Sequence, residues 1–149
     1  MNDTSIRKFE SDMLDECADL YLRVFTVAPW NEKWGKLEDV KKYLNEYCNF
    51  KTFKGFVAVK NKKIVGVALG FLKPWQKGFE YYINEFYVDI DLQRSGIGTN
   101  MIETIKKSFK GQNVNAIILL TEKDYPARKF YEKCGFKILP GLVSMAAPI

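Results

Sequence analysis

The sequence contains no histidine and only three cysteines among its 149 residues. Without histidine the chain lacks the most common general base, any Ser–His or Cys–His nucleophile pair, and the most common zinc ligand. Cys17, Cys48 and Cys134 are widely spaced and odd in number, which favours reduced intracellular thiols over a disulfide framework or a metal site. Acid–base chemistry would therefore fall to Glu, Asp, Tyr, Lys, Cys or ordered water, and we expect no metal.

Long apolar runs are also missing. None approaches the roughly 20 residues that cross a bilayer, and the N-terminal stretch "MNDTSIRKFE" mixes acids and bases instead of forming a signal peptide. We expect a cytoplasmic protein, monomer or homodimer, without a membrane partner. The net charge of +5 comes from scattered lysines, which favours a solvated basic surface or a polyanionic small molecule over nucleic acid.

The hydrophobic pattern predicts one domain over residues 1–149, of α/β type (α+β with a mixed sheet). The predicted order is β-α-α-β-β-β-α-β-α-β-β, which indicates a mostly antiparallel central sheet with helices on both faces. The predicted elements are a strand at 5–10, helices at 11–26 and 37–48, a hairpin at 55–73 with its tip at Asn61–Lys62, a strand at 79–91, a helix from Ile97 to a stop at Gly111, a strand at 115–121, a helix at 125–135, and two strand pieces in 136–148 split by Pro140–Gly141.

Two glycines, Gly96 and Gly98, stand where the third predicted helix begins. Glycine costs roughly 1 kcal/mol against alanine inside a helix, so bare backbone is needed there. Free N–H groups and the positive end of the helix dipole would make the loop a phosphate cradle, with a simple tight turn as the alternative. A dinucleotide-binding pattern would need glycine at position 101, which is Met, and a P-loop would need Gly-Lys-Ser/Thr instead of Gly-Thr-Asn.

The stretch "QRSGIG" (93–98) resembles the Gln/Arg-x-x-Gly-x-Gly/Ala motif of the GCN5-related N-acetyltransferases, the GNAT family. About thirty residues later, "PARKFYEKCGFK" (126–137) resembles the family's A-x-x-F/L-Y-x-x-x-G-F helix. With the order of elements, the resemblance covers nearly the whole chain and implies a GNAT-like fold. It further implies transfer of an acetyl group from the co-substrate acetyl-CoA to a primary amine, by direct attack in a ternary complex.

The acceptor is implied only through one segment. "PWNEKW" (29–34) looks like a stretch of bacterial members that are similar to aminoglycoside 6′-acetyltransferases, which favours a small-molecule amine. Trp30, Glu32 and Trp34 are the expected substrate-binding residues, since exposed indoles beside an acid suit a cationic amine; a flap packed on the core is the structural alternative. Acetylation of protein N-termini or lysines, or a non-catalytic CoA-binding regulatory domain, are the alternative functions.

The resemblance also implies the catalytic pair. Tyr131 matches a tyrosine placed near the CoA sulfur as general acid, and Glu85 matches a position where a carboxylate often acts as base, commonly through water. A carboxylate in mid-strand between aromatic residues is typical of a site. The alternatives remain that Tyr131 is an aromatic of an amphipathic helix and that Glu85 is a solvated edge residue or an ion-pair partner.

Cofactor-binding residues are implied in the strand, the loop and the region before the last helix. In the family the strand is bulged or splayed and its backbone binds pantetheine and the acetyl carbonyl, while the loop binds the pyrophosphate. The set is Phe86, Tyr87, Val88, Gln93, Arg94, Ser95, Gly96, Ile97, Gly98, Thr99 and Asp124. Asp124 replaces an asparagine of many members and, when ionised, cannot donate a hydrogen bond. Regular alternation would put Ile83, Glu85 and Tyr87 on one face of the strand and Asn84, Phe86 and Val88 on the other.

Overall fold

The computed structural model describes residues 3–149, and within them the apolar periodicity becomes five strands and four helices. The strands are β1 (Thr4–Lys8), β2 (Phe53–Lys60), β3 (Lys63–Trp75), β4 (Gly78–Val88) and β5 (Val114–Ile118). The helices are α1 (Leu14–Phe25), α2 (Leu37–Cys48), α3 (Ile97–Ser108) and α4 (Pro126–Lys133). None of these helices is both long and apolar enough to cross a membrane.

The five strands form one sheet in the order β1-β2-β3-β4-β5. Three neighbouring pairs are antiparallel and only β4–β5 is parallel, because α3 carries the chain back across the sheet as a crossover. The predicted hairpin tip is confirmed: Asn61 and Lys62 have φ of 50° and 63°, the left-handed values that suit the twist of a two-residue hairpin turn. The predicted mixed, mostly antiparallel sheet is therefore confirmed.

Helices cover both faces of the sheet, as the sequence predicts. On one face α1 and α2 bury a cluster that includes Leu44, Val57 and Tyr87. On the other, α3 buries Met101 and Ile102 against β2, β3 and β4, and Phe130 of α4 packs against the same cluster. The sheet is thus shielded from water on both sides, so side chains of β4 lie in one core or the other according to their parity.

That parity changes once within β4. Glu85 pairs with Leu69 and Ile83 pairs with Gly70, so Asn84 is an extra residue with no partner on β3. Ile83 accordingly packs in the α3 core, whereas Glu85 contacts α2 and Tyr87 lies in the α1–α2 core. The prediction that Ile83 shares a face with Glu85 is wrong, because a β-bulge inserts one residue and shifts the period-two alternation.

Strands β4 and β5 pair over only part of their length. Their register runs from Phe79 opposite Val114 to Tyr82 opposite Ile118. Beyond that point β4 continues as far as Val88, while the chain after Ile118 leaves the sheet. The two strands therefore part just before the bulge, and a cavity opens between them.

The two strand pieces predicted in residues 136–148 do not form within the described chain. Pro140 and Gly141 make the expected turn, with Leu142 N–H donating to the Leu139 carbonyl at 3.2 Å. The flanking segments stand off β5, leaving a cleft of about 940 Å³, the edge cleft, between β5 and residues 136–144. Only five residues, 134–138, separate α4 from the turn that begins at Leu139. Phe136 is packed against the α3 core, and Pro140 lacks an N–H to donate. The segment therefore has no neighbouring strand to pair with, whatever its strand propensity.

Candidate active site

The largest concentration of aromatic and acidic side chains surrounds a cavity where β4 and β5 part. This aromatic cavity has a volume of about 640 Å³. Its walls come from α1, the α1–α2 loop, α2, β4 and α4, which the fold brings together from distant parts of the chain. The polar and aromatic lining residues are Tyr21, Phe25, Trp30, Glu32, Trp34, Tyr43, Asn84, Glu85, Phe86, Thr121, Glu122, Tyr131 and Ser144.

Glu85 enters the aromatic cavity from β4 because of the bulge at Asn84. The hydroxyl of Tyr43 on α2 donates a hydrogen bond to Glu85 Oε1. The pKa of Glu85 is raised to about 7, chiefly by burial and also by the nearby charge of Glu32, against the opposing effect of the Tyr43 hydrogen bond. A carboxyl group with this pKa can take up and release a proton near neutral pH.

Glu32 is the second carboxylate of the aromatic cavity. Tyr21 Oη donates to Glu32 Oε1 at 2.7 Å and Trp34 Nε1 donates to the same oxygen at 3.0 Å. Trp34 also packs edge-on against Tyr21, with ring centroids 5.6 Å apart. The loop residues Trp30 and Trp34 are half-buried rather than exposed, so they both pack on the core and line the cavity.

Tyr131 approaches the aromatic cavity from α4 on the other side of β4. Gly135, with φ of 92°, ends this helix, and Phe136 N–H donates to the Tyr131 carbonyl at 3.0 Å. Together with the bond from Gly135 N–H to the Glu132 carbonyl, this bond forms a Schellman motif. The rings of Tyr131 and Phe136 make the apolar contact of the motif. Within residues 3–149 the Tyr131 hydroxyl has no hydrogen-bond partner; burial, followed by the charge of Glu85, raises its pKa and keeps it protonated.

The predicted phosphate cradle forms the N-terminus of α3. Arg94 and Gly96 both have left-handed backbones, with φ of 65° and 89°, and Gly96 is the N-cap without any side-chain capping bond. The first N–H groups of α3 therefore have no intrahelical acceptor and lie beside the exposed loop 93–96. Free N–H groups at the start of a helix can donate hydrogen bonds to an anion.

Side-chain hydrogen bonds fix the position of the chain at the start of the cradle. Gln93 Nε2 donates to the Val88 carbonyl at 3.2 Å. The buried carboxylate of Asp89 accepts two hydrogen bonds from Arg23 of α1, at 2.9 and 3.1 Å. The loop therefore keeps a fixed position relative to α1 and β4.

The predicted site residues are distributed over four environments. Six of them surround the aromatic cavity: Trp30, Glu32, Trp34, Glu85, Phe86 and Tyr131. Tyr87 is core, its hydroxyl donating to the Cys17 carbonyl at 2.7 Å, and Val88 and Ile97 pack in the α3 core. Gln93, Arg94, Ser95, Gly96 and Thr99 are exposed in the cradle, and Gly98 is buried. Asp124 is exposed and lines neither cavity.

Tyr21, Tyr43 and Asn84 are among the residues of the aromatic cavity that sequence reasoning missed. Both tyrosines lie on the apolar stripes of α1 and α2, where periodicity indicates core. Their hydroxyl groups were the available clue, because a buried tyrosine needs a hydrogen-bond partner. Asn84 could have been found only by locating the bulge.

The family model described as Acetyltransferase (GNAT) family matches residues 14–136. The chain therefore belongs to the GNAT acetyltransferase family, the family of acetyl-CoA-dependent N-acetyltransferases. The match includes both the cradle and the helix that carries Tyr131, so the two motifs and the family assignment agree.

Known proteins and structures resemble different parts of the chain. Cysteine-rich protein 2-binding protein of Homo sapiens is 34% identical over 94 residues, 63% of this chain; the chain spans 11% of that relative. A possible acetyltransferase from Clostridium difficile 630 superposes with a TM-score of 0.81 at 21% identity, covering 98% of each chain. An aminoglycoside acetyltransferase from an uncultured soil metagenomic sample, in complex with sisomicin, gives 0.76 at 21%, covering 99% of this chain and 97% of that chain. These similarities confirm the GNAT-like fold.

The residues present suit the acetyl-CoA that the family uses. The uncapped start of α3 offers N–H groups to a pyrophosphate, and nothing lies within 4 Å of where a Cβ of Gly96 would be. The parting of β4 and β5 leaves the backbone of β4 beyond Tyr82 unpaired on that side, which suits a pantetheine arm with its amide groups. The same parting leads into the aromatic cavity.

Glycine is required at positions 96 and 98 of the cradle for different physical reasons. A double-mutant cycle can distinguish the two reasons. A Cβ on Gly98 would lie 2.9 Å from Phe130 Cζ, so Gly98→Ala should cost about 1–3 kcal/mol through overpacking. In a Phe130→Leu background the clash is absent and alanine, the better helix former, should stabilise by about 1 kcal/mol. Gly96→Ala, which meets no atom but needs φ of 89°, should cost the same in both backgrounds. Urea unfolding measures all five variants; equal costs of Gly98→Ala in both backgrounds would contradict the contact.

The buried carboxyl of Glu85 should make stability depend on pH. Its folded pKa of about 7 lies above the ordinary value of 4.5, so the folded state binds more protons, and stability is lost as pH rises from about 4.5 to 7. The loss at pH 8 is on the order of 3 kcal/mol. Glu85→Gln should remove this loss, whereas Glu46→Gln, at an exposed carboxylate of α2, should keep it. Parallel unfolding free energies for wild type and Glu85→Gln between pH 5 and pH 8 would rule out a buried, proton-binding Glu85.

Proposed function

We propose that this chain, as a single acetyltransferase domain, transfers the acetyl group of acetyl-CoA to a primary amine of a small cationic molecule, by direct attack in a ternary complex. The supporting observation is the convergence of Glu85, with a pKa of about 7, and Tyr131 on one cavity at the parting of β4 and β5. The cradle at the start of α3 would hold the pyrophosphate, and the backbone of Phe86, Tyr87 and Val88 the pantetheine. Acetyl-CoA supplies the activated acyl group.

Proton transfers follow from the positions of the two titratable groups. Alkyl ammonium ions must lose a proton before the nitrogen can attack, and Glu85 accepts it, directly or through water. As the N–C bond forms and the C–S bond breaks, Tyr131 gives its proton to the departing sulfur. The second amine proton replaces the one that Tyr131 has given, and Glu85 releases its own proton to solvent. Both groups return to their starting states.

The charges and rings of the aromatic cavity favour a cationic acceptor. Both hydrogen-bond donors to Glu32 use Oε1. Oε2 has no partner among the described residues, so it can accept a hydrogen bond from an ammonium group of the acceptor. The faces and edges of Tyr21, Trp30, Trp34 and Tyr43 surround this carboxylate, and aromatic rings attract cations in desolvated sites. The carboxylates of Glu85 and Glu32 in one cavity suit a molecule with at least two positive charges, one at each of them.

Similar structures support this class of acceptor without establishing it. One neighbour is an aminoglycoside acetyltransferase in complex with sisomicin, and aminoglycosides carry several amino groups on a compact frame. The half-buried Trp30 and Trp34 form part of the wall of the aromatic cavity. An aromatic-lined cavity of about 640 Å³ favours a small molecule over a protein lysine, so aminoglycoside-like polyamines are the proposed acceptors.

An acceptor screen tests the function and the role of Glu32 together. Release of free CoA thiol should occur with acetyl-CoA and diamines or aminoglycosides, and kcat/KM should favour a diamine over a monoamine of equal length. Glu32→Gln should reduce that preference by about 10–100-fold, the loss of one hydrogen bond to a charged group, with the monoamine rate unchanged at a pH well above 7, where Glu85 is ionised in both proteins. Glu46→Gln is the control for net charge. Acetylation of peptide amines in preference to diamines would contradict the proposed acceptor, and binding of acetyl-CoA without acetylation of any amine would indicate a regulatory domain.

The pH–rate profile should identify Glu85 as the base. In wild type kcat/KM should rise with pH and level off above about pH 7, where Glu85 is ionised. Glu85→Gln should lower kcat/KM by roughly 10²-fold below pH 7, and by less at pH 9–10, where more of the amine is already neutral. Superimposable profiles would exclude Glu85 from the proton transfer.

A further inference from the structure

The side chain of Asn84 in the aromatic cavity has no evident structural task. Its Nδ2 is shielded from solvent and has no hydrogen-bond partner within residues 3–149. A buried donor without an acceptor costs about 1–3 kcal/mol, so such groups need an explanation in a native structure. A leucine of similar size would avoid that cost.

Backbone conformation does not explain the asparagine. Asparagine is often found where φ is positive, and Asn31, Asn61 and Asn113 of this chain have φ between 49° and 59°. Asn84 is not among the positive-φ residues of the described chain, and its side chain makes no hydrogen bond to the bulge. A bulge at this position therefore does not require a carboxamide.

Its position points to the reacting group instead. Asn84 follows the last paired residues of β4 and β5 by two positions and precedes Glu85. It lines both the aromatic cavity, where the amine would enter, and the edge cleft, and Tyr131 also lines both. A carbonyl group under attack from the Glu85 side, with its sulfur near Tyr131, would lie beside Asn84.

We propose that Asn84 Nδ2 donates a hydrogen bond to the carbonyl oxygen of the acetyl group and stabilises the negative charge on that oxygen as the amine adds. This inference rests on the proposed acetyl transfer. The addition forms the N–C bond and moves the carbonyl π electrons to oxygen; their return expels the sulfur. Because the donor is already desolvated and fixed on a strand, it needs no reorganisation during the reaction.

A binding experiment separates this role from packing. S-ethyl-CoA has a CH₂ group where acetyl-CoA has its carbonyl, so it lacks the acceptor that Asn84 would meet. Calorimetry should show wild type binding acetyl-CoA about 3–10-fold more tightly than S-ethyl-CoA, one net hydrogen bond. In Asn84→Ala the two ligands should bind with equal affinity, because only the binding of acetyl-CoA becomes weaker. The kcat of this variant should fall about 10²-fold. Asn84→Leu fills the same space without a donor and should behave like Asn84→Ala, with circular dichroism confirming the fold of both.

Two controls make the outcomes distinct. Tyr131→Phe should lower kcat while keeping the wild-type preference for acetyl-CoA, and Asn115→Ala on β5, whose carboxamide already donates to the Lys77 carbonyl at 3.1 Å, should change neither quantity. If folded Asn84→Ala and Asn84→Leu keep the wild-type preference for acetyl-CoA, Asn84 is not a donor to the carbonyl, even though acetyl transfer stands. If wild type binds neither ligand or acetylates no amine, the proposed function fails, and this inference fails with it.

Discussion

The geometry of this domain depends on one extra residue in β4. By shifting the alternation at Asn84, the bulge places Ile83 in the α3 core and Glu85 against α2, although the two residues differ by an even number of positions. A regular strand would place the Glu85 carboxylate among the apolar side chains of α3, where no hydrogen-bond donor from α2 could reach it. Because a buried carboxylate without partners is strongly unfavourable, the bulge, the contact with Tyr43 and the cavity form one arrangement.

Helix ends fix the remaining parts of the site. The left-handed turn at Gly135 sets the direction of the chain after α4 and brings Phe136 onto Tyr131. At the start of α3 the missing side chain of Gly98 lets Phe130 approach, and that ring stacks on Phe86 of β4 with centroids 5.8 Å apart. A glycine within the predicted phosphate cradle therefore also sets the distance between α3 and α4. The cradle and the Tyr131 helix are mechanically joined through one aromatic ring.

Local features of the chain could be predicted from the sequence, since they depend on neighbouring residues. The hairpin tip at Asn61–Lys62 and the left-handed stop at Gly135 are confirmed, and Gly96 has a left-handed backbone as well. Gly111 is also left-handed, but α3 ends before it, at Ser108. Features that need distant partners could not be predicted. Nothing near Asn84 in the sequence marks the bulge, whose cause is the register between β3 and β4, and Tyr43 shows its hydroxyl partner only once α2 is packed on the sheet. The strands predicted in residues 136–148 do not form for the same reason, because strand propensity alone does not provide a neighbouring strand for hydrogen bonding.

The free side of β5 has a consequence for how protection of backbone amides is distributed. Strands β2 and β3 have hydrogen-bonded neighbours on both sides, whereas β5, five residues long, is bonded only to β4. Amide protons of β2 and β3 exchange with solvent only when most of the domain opens, while those of β5 exchange through small local openings. The boundary between slow and fast exchange therefore runs along the parting of β4 and β5. Opening along that line separates Glu85 from Tyr131 while the central hairpin stays intact.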